Sequence, residues 1–420
     1  MNHPAAPFKL QPAIRPLTGS IALPGSKSAS NRLLILRALA NANTELPGLS
    51  TAADTAYMQA ALQQIATQKG GRIFAGAAGT VMRFLLPVLA LRSGSWELYG
   101  SDRAHERPIG PLVDALRSLG AKIDYLEKEG FPPLRIEGGY VKGGEVQLPA
   151  HQSSQFATAL LLVGAKLPGG LQLHLTGELV SRPYLQQTID LLLGCGLSVQ
   201  EEGNTYTIAP QNIHMPAVVQ VEPDWSSAAY WLAWVAALPG STVLLENLPL
   251  HSYQADSRAV EWMGPLGVQV AEQPKGLLLS HQIPEIVAER TYDGRDCPDL
   301  VPAQAVLCAL QQQPALFTGL ATLRLKESDR IDALVQNLQA AGAQVSSGAD
   351  WLRINQGIPK GAGEVHIQCF HDHRMALAFA VLAAAQKTVI FDQPEVVAKS
   401  YPNYWEQLAA QGMQFSNDGR

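Results

Sequence analysis

Six times along this chain a short polar or small-residue cluster opens into a run so uniformly apolar that no face is left for water. The clusters begin at Gly25-Ser26-Lys27-Ser28, Gly76-Ala77-Ala78-Gly79-Thr80, Gln152-Ser153-Ser154-Gln155, Asp224-Trp225-Ser226-Ser227, Cys297-Pro298-Asp299 and His371-Asp372-His373-Arg374. The apolar bodies include Phe156 to Val163, Ala228 to Ala237 and Met375 to Ala385. Helices apolar all round are buried, so each must be enclosed by other elements. Between them lie amphipathic segments that close in glycine and pass into a strand: Pro111 to Gly120, Pro183 to Gly196 and Asp329 to Gly342. A terminal glycine takes the left-handed conformation that stops a helix. Three such units precede roughly residue 222 and three follow it, which predicts an internal repeat built into two similar lobes.

A chain of 420 residues also exceeds one typical core. The expected fold class is α/β (α+β), with hinges near 23–25 and 221–223, where Pro24 and Pro223 flank repeat starts. Residues 1–23 carry no repeat of their own, so their strand is expected to complete a discontinuous lobe with residues 222–420. Residues 24–221 then form an inserted lobe, and the active cleft is expected between the two.

At 47% apolar and 16% charged residues, the composition is that of a folded chain. No apolar run reaches the ~18 residues of a membrane span. Met1 to Lys9 lacks the apolar core of a signal peptide, which predicts a cytoplasmic protein. The net charge of −5 argues against a nucleic-acid surface but not against small anionic substrates. Cys195, Cys297, Cys308 and Cys369 are scattered without a CxxC pair and read as reduced and structural. No heptad or apolar stripe is left over, so a monomer is expected.

The first cluster offers an anion site. Ser26 or Ser28 caps a helix whose first turn presents free N–H groups, and Lys27 and Arg32 add positive charge. It is not a P-loop, because Ser26 separates Gly25 from Lys27 and the upstream glycine is missing. The other clusters have plain readings when taken singly. Arg107 could pair with a neighbouring acid, Lys326 and Arg330 at i,i+4 spacing would share one helix face where ordinary surface salt bridges to acids would account for them, and Asp299 could be an N-cap. His371 and His373 lack a third ligand at useful spacing, so no metal is expected. Together, however, Lys27, Arg32, Arg107, Lys326, Arg330, Arg374 and Lys399 form a set of cations that would repel unless anions came between them. Substrates with phosphates and carboxylates would supply that charge.

The ordered motifs resemble those of the 5-enolpyruvylshikimate-3-phosphate synthase family of enolpyruvyl transferases. They are Leu23-Pro24-Gly25-Ser26-Lys27-Ser28 with Asn31-Arg32, Ala78-Gly79-Thr80 with Met82-Arg83, and Glu106-Arg107-Pro108-Ile109-Gly110. Next come Ser153-Ser154-Gln155-Phe156, Ser181-Arg182-Pro183-Tyr184 and Pro298-Asp299. Lys326-Glu327-Ser328-Asp329-Arg330, Asp372-His373-Arg374-Met375 and Lys399-Ser400-Tyr401-Pro402 complete the series.

The resemblance implies two lobes of three βαβαββ repeats each, an inside-out α/β barrel. It implies transfer of enolpyruvyl from phosphoenolpyruvate to the 5-hydroxyl of shikimate 3-phosphate, on the way to chorismate and aromatic amino acids, with no metal or organic cofactor. By the same resemblance Asp299 removes the hydroxyl proton, Glu327 protonates the methylene carbon, and Lys27 neutralises the leaving phosphate. Shikimate 3-phosphate is expected on Lys27, Ser28, Arg32, Ser153, Ser154, Ser181, Tyr184, Asp299 and Lys326. Phosphoenolpyruvate is expected on Lys27, Gly79, Arg107, Gln155, Arg330, Arg374 and Lys399.

Four features depart from the family pattern: Ala77 in place of Asn, Phe84 in place of Pro, Thr322 in place of a frequent Asn, and few residues between Ala66 and Ala75. The last implies a truncated repeat. A sister family that uses UDP-N-acetylglucosamine typically carries a Cys near its Pro-Ile-Gly, and none lies near Glu106 to Gly110 here.

Overall fold

The computed structural model describes residues 8–150, 153–177 and 179–417. Met1 to Pro7, read above for a targeting segment, and Gln152 of the third cluster lie outside them. Chain contacts separate two units, one reaching Pro24 and resuming at Glu222, the other spanning Gly25–Val221.

In the Gly25–Val221 unit the helices are α1 (Lys27–Ala40), α2 (Ala53–Thr67), α3 (Gly79–Leu91), α4 (Asp102–His105), α5 (Gly110–Ser118), α6 (Ser154–Gly164) and α7 (Arg182–Gly194). The other unit has α8 (Trp225–Ala237), α9 (Ala259–Met263), α10 (Val301–Leu310), α11 (Arg330–Ala340), α12 (His373–Phe379) and α13 (Tyr404–Ala410). The all-apolar runs are the buried ones. Helices α1, α3 and α6 pack on one another in the first unit. In the second, α10 packs on α8 and α12, and α12 continues from Ala380 to Ala385 as a 3-10 turn that also meets α8. The amphipathic helices stop as the glycines require: Gly120, Gly196 and Gly342 have φ of 99°, 74° and 92°.

Among the described residues there are five four-stranded sheets, all with one connectivity. The first two strands of each repeat run parallel, the fourth lies antiparallel beside the second, and the third is outermost. Arg290–Asp293, Ala315–Thr318, Leu352–Gln356 and Gln344–Ser347 give the pattern in spatial order. So do Gly70–Phe74, Gly94–Tyr99, Leu134–Gly138 and Lys122–Tyr125. A third sheet is Gly144–Pro149, Leu171–Thr176, Thr205–Ile208 and Gln200–Glu202.

The N-terminal segment enters two further sheets. Phe8–Leu10 pairs antiparallel with Lys387–Phe391 and Phe415–Asn417, while Gly363–Ile367 pairs parallel with Lys387–Phe391. Thr18–Ile21 pairs parallel with Thr242–Glu246, followed by Gly276–His281 and Val268–Gln273. The chain thus supplies the last strand of one repeat, then the first strand of another, before it departs into the Gly25–Val221 unit.

The sixth repeat, α1 and α2, has no sheet among the described residues. Its trace is one parallel bridge, Glu45 to Val218, with Glu45 N donating to Ala217 O at 2.9 Å and Val219 N to Glu45 O at 3.0 Å. Parallel pairing belongs to the first and second strands elsewhere, so the lost part is the terminal hairpin. Only Gln68 and Lys69 separate α2 from the strand Gly70–Phe74, which opens the next repeat.

Two buried bonds tie α8 to the C-terminal segment: Trp231 Nε1 donates to Tyr401 Oη at 2.9 Å and Trp234 Nε1 to Tyr404 Oη at 3.0 Å. Tyr404 Oη in turn donates to Leu377 O at 3.2 Å. Tyr404→Phe leaves a buried N–H and a buried carbonyl without this partner. It should cost about 1–3 kcal/mol, read as a lower denaturant midpoint with an unchanged slope.

Candidate functional site

In the unit resumed at Glu222, the starts of α10, α11 and α12 converge on Arg330, the first residue of α11. Its guanidinium, 1% exposed, donates Nη1 to Asp299 Oδ1 at 2.8 Å, Nη2 to Glu327 Oε2 at 2.7 Å and Nε to Asp372 Oδ2 at 2.7 Å. Asp372 caps α12 by accepting from Arg374 N at 3.0 Å and takes the Ser328 hydroxyl at 3.0 Å. Asp299 does not cap α10, whose N-cap residue is Leu300. Its carboxylate meets Arg374 Nη2 at 2.8 Å and Lys326 Nζ at 3.5 Å. Arg374 also donates to Asp299 O at 3.0 Å, Tyr230 Oη at 3.2 Å and Ser226 Oγ at 3.3 Å. Ser226 Oγ donates onward to Asp256.

The electrostatics follow from this packing. Burial alone would raise the Asp299 carboxyl, but the charges of Arg374, Lys326 and Arg330 outweigh it and hold it well below the usual carboxylate range. Asp372 is likewise lowered, burial being overcome chiefly by Arg330. Burial pushes the Lys326 ammonium down against the pull of Asp299. Burial pushes Tyr230 up to about 12, so its hydroxyl stays neutral beside Arg374.

Three cations and three carboxylates balance here, which corrects the expectation that substrate anions alone would relieve the repulsion. The helix spacing proposed for Lys326 is also corrected: it lies in extended backbone before α11, and it meets Arg330 through their shared partner Asp299. Lys399 is outside this knot and donates to His371 O at 2.5 Å, one residue before Asp372.

In the Gly25–Val221 unit, Ser26 caps α1, accepting from Ala29 N at 3.4 Å, and Gly25 lies so close to Gly48 O that a Cβ would not fit. Lys27 meets Asp54 Oδ2 at 2.9 Å. Arg32 is 2% exposed and ties α1 to α7. It donates to Ser28 O at 2.8 Å, Thr188 Oγ1 at 2.8 Å and Tyr184 O at 3.1 Å. Ser181, just before α7, has a φ of 57°, an uncommon conformation for serine. Ser153 caps α6, and Ser154 is its first residue.

A second convergence surrounds Gly79. A Cβ there would lie 2.6 Å from Arg83 Nη1, 2.8 Å from Arg107 Nη2 and 2.9 Å from Gln155 Oε1, so only glycine admits all three. Arg83 donates to Gln155 Oε1 at 2.7 Å and Pro108 O at 3.0 Å, and Arg107 donates to Ala77 O at 3.0 Å. The cavity lined by Gly79, Arg83, Arg107 and Pro108 is about 10 Å³, room for roughly one water.

Sequence reasoning gave no role to Asp54, Asp372, Arg83, Ser226 or Asp256. Arg83 and Asp372 lay inside quoted motifs, and their adjacency to Gly79 and Arg374 was the available signal. Asp54 and Asp256 carried none. Among the described residues no three His, Cys, Asp or Glu side chains converge as metal ligands, and no helix is long and apolar enough to cross a membrane.

Asp372→Asn leaves the Arg330 charge short of a buried partner and should cost about 3–5 kcal/mol at neutral pH. A carboxyl lowered in the folded state contributes its full stability above the unfolded pKa and loses it as pH falls through the folded one. The gap between wild type and Asp372→Asn in denaturant titrations should therefore be constant down to about pH 4 and shrink below it.

The fold and these constellations have known counterparts. A model of the family "EPSP synthase (3-phosphoshikimate 1-carboxyvinyltransferase)" matches residues 12–408. The 3-phosphoshikimate 1-carboxyvinyltransferase of Bacteroides fragilis strain YCH46 is 42% identical, over 94% of this chain and 96% of its own. That of Bordetella pertussis is 36% identical, over 95% and 96%. Among solved structures, EPSP synthase from Acinetobacter baumannii superposes with a TM-score of 0.76 at 23% identity, covering 98% of this chain and 99% of that one. The enolpyruvyl transferase NikO from Streptomyces tendae gives 0.74 at 16% identity, with the same coverage. The first two carry the argument on sequence and the last two on fold, and with the family match they agree: this chain belongs to the EPSP synthase family of enolpyruvyl transferases.

Proposed function

We propose that this chain, as a transferase of that family, moves the enolpyruvyl group of phosphoenolpyruvate to the 5-hydroxyl of shikimate 3-phosphate and releases phosphate. The observation that carries the reading is the Arg330 knot, in which one buried guanidinium holds Asp299 and Glu327 at 2.8 and 2.7 Å. Two carboxylates beside a cluster of cations suit a reaction that needs both proton transfer and anion binding.

The chemistry is addition followed by elimination. The 5-hydroxyl oxygen bonds to C2 of phosphoenolpyruvate while its proton leaves to Asp299 and the methylene carbon gains one from Glu327, which takes up a proton from solvent once the substrate anions engage Arg330. The tetrahedral product then returns a methyl proton to the Glu327 carboxylate as the C–O bond to phosphate breaks, with Lys27 neutralising the departing group. Asp299 is a poor base while three cations hold its charge. Phosphoenolpyruvate anions that engage Arg330 and Arg374 would draw those cations off and make the carboxylate more basic.

Gly79, Arg107, Gln155 and Lys399 join Arg330 and Arg374 around phosphoenolpyruvate. Ser28, Ser153, Ser154, Ser181, Tyr184 and Lys326 take shikimate 3-phosphate. Arg32 contributes by fixing the Ser28 and Tyr184 backbones. Lys27 must exchange Asp54 for a substrate phosphate. No metal or organic cofactor enters the mechanism.

The test is phosphate release with both substrates. Glu327→Gln should keep both substrate affinities near wild type and lose about 10²-fold or more in turnover, the scale of a lost general acid. Binding without release in the wild type would leave a phosphometabolite binder instead.

A further inference from the structure

The loop Ala75–Gly79 brings Gly79 to Arg83, Arg107 and Gln155. Arg107 Nη1 grips it at Ala77 O, and backbone bonds hold its start, with Ala75 N donating to Tyr99 O at 2.8 Å and Ser101 N to Gly76 O at 2.9 Å. Another contact comes from α2. The Tyr57 ring lies so close to Gly76 that a Cβ there would stand 2.7 Å from Cε2 and 2.9 Å from Cδ2, and Gly76 has a φ of 61°. Tyr57 also packs edge-on to Phe74 at 5.4 Å between centroids, and Phe74 meets Tyr99 at 5.3 Å. Arg72 stacks over Tyr99 at 4.5 Å and pairs with Glu97 at 2.7 Å. Tyr57 and Phe74 stand on α2 and on the next strand, the two elements that flank the missing hairpin, and remain 37% and 40% exposed.

We propose that Tyr57 is a positioning residue for the phosphoenolpyruvate end of the site, its ring seating the Ala75–Gly79 loop where this repeat has lost its hairpin. The inference rests on the assignment of Gly79 and Arg107 to phosphoenolpyruvate made above. Ring contact, not the hydroxyl, does the positioning, because the atoms nearest Gly76 are ring carbons. A loop that drifts by about an ångström moves the Gly79 backbone off its ligand while leaving Asp299 and Glu327 where they are.

The experiment is steady-state kinetics with both substrates varied, on Tyr57→Ala, Tyr57→Leu, Tyr57→Phe and Arg107→Ala, each checked by thermal midpoint. Tyr57→Ala, or Tyr57→Leu if the alanine variant does not fold, should raise the phosphoenolpyruvate KM about 5- to 20-fold with kcat within about 2-fold. The KM for shikimate 3-phosphate should not move, and Tyr57→Phe should return the phosphoenolpyruvate KM to wild type. An unchanged KM, a rise shared by both substrates, or a phenylalanine variant no better than leucine overturns the inference. Arg107→Ala separates the two levels. If it raises the phosphoenolpyruvate KM while the Tyr57 variants do not, the inference alone falls; if it leaves that KM unchanged, the assignment beneath it falls.

Discussion

One guanidinium, Arg330, holds the starts of three helices in the unit resumed at Glu222 in register. Its three donor positions reach carboxylates placed before α10, before α11 and at the cap of α12, so the starts of three helices are fixed by one side chain with no exposed surface to speak of. A buried charge cluster of this kind is a weak source of net stability, because desolvation offsets most of the Coulomb gain. Breaking it is another matter, since an orphaned charge remains inside. The cluster is therefore better understood as a device for geometry. It sets Asp299 and Glu327 against a common cation, and it keeps Arg374 aimed through Tyr230, Ser226 and Asp299.

The repeat was legible because two independent signals coincide: helices with no polar face must be buried, and glycines at fixed ends must stop their amphipathic neighbours. The strands were less legible. Thr18–Ile21 is exposed at three of its four residues, and Phe8–Leu10 is three residues long, so neither has a period to read. One strand was expected from that segment, and two are found in different sheets. The lost hairpin could be read from chain length alone, because two residues cannot span it. What replaces its support could not, since Tyr57 and Phe74 look like ordinary residues of a helix and a strand until they meet.

The cations of the site were legible one by one, and their partners were not. Lys27 and Asp54 are 27 positions apart, and Arg330 and Asp372 are 42 apart, so no local spacing announces either pair. Composition misled in a specific way. Scarce charge suggested that every clustered cation awaited an anion from outside, whereas the chain had placed its own carboxylates among them.

That placement bears on how such a site works. Bare converging cations would have to be held apart by the scaffold, at a large electrostatic cost in a low dielectric. With internal carboxylates the cations can sit at ligand spacing before any ligand arrives. The small cavity beside Gly79, where Arg83 and Gln155 bond to each other, follows the same logic in neutral form. An entering phosphate or carboxylate then exchanges one set of partners for another, so affinity reflects the difference between two well-made networks. In the proposed mechanism the carboxylates released by that exchange are the groups that gain basicity, which would couple anion binding to the readiness of Asp299 without any further moving part.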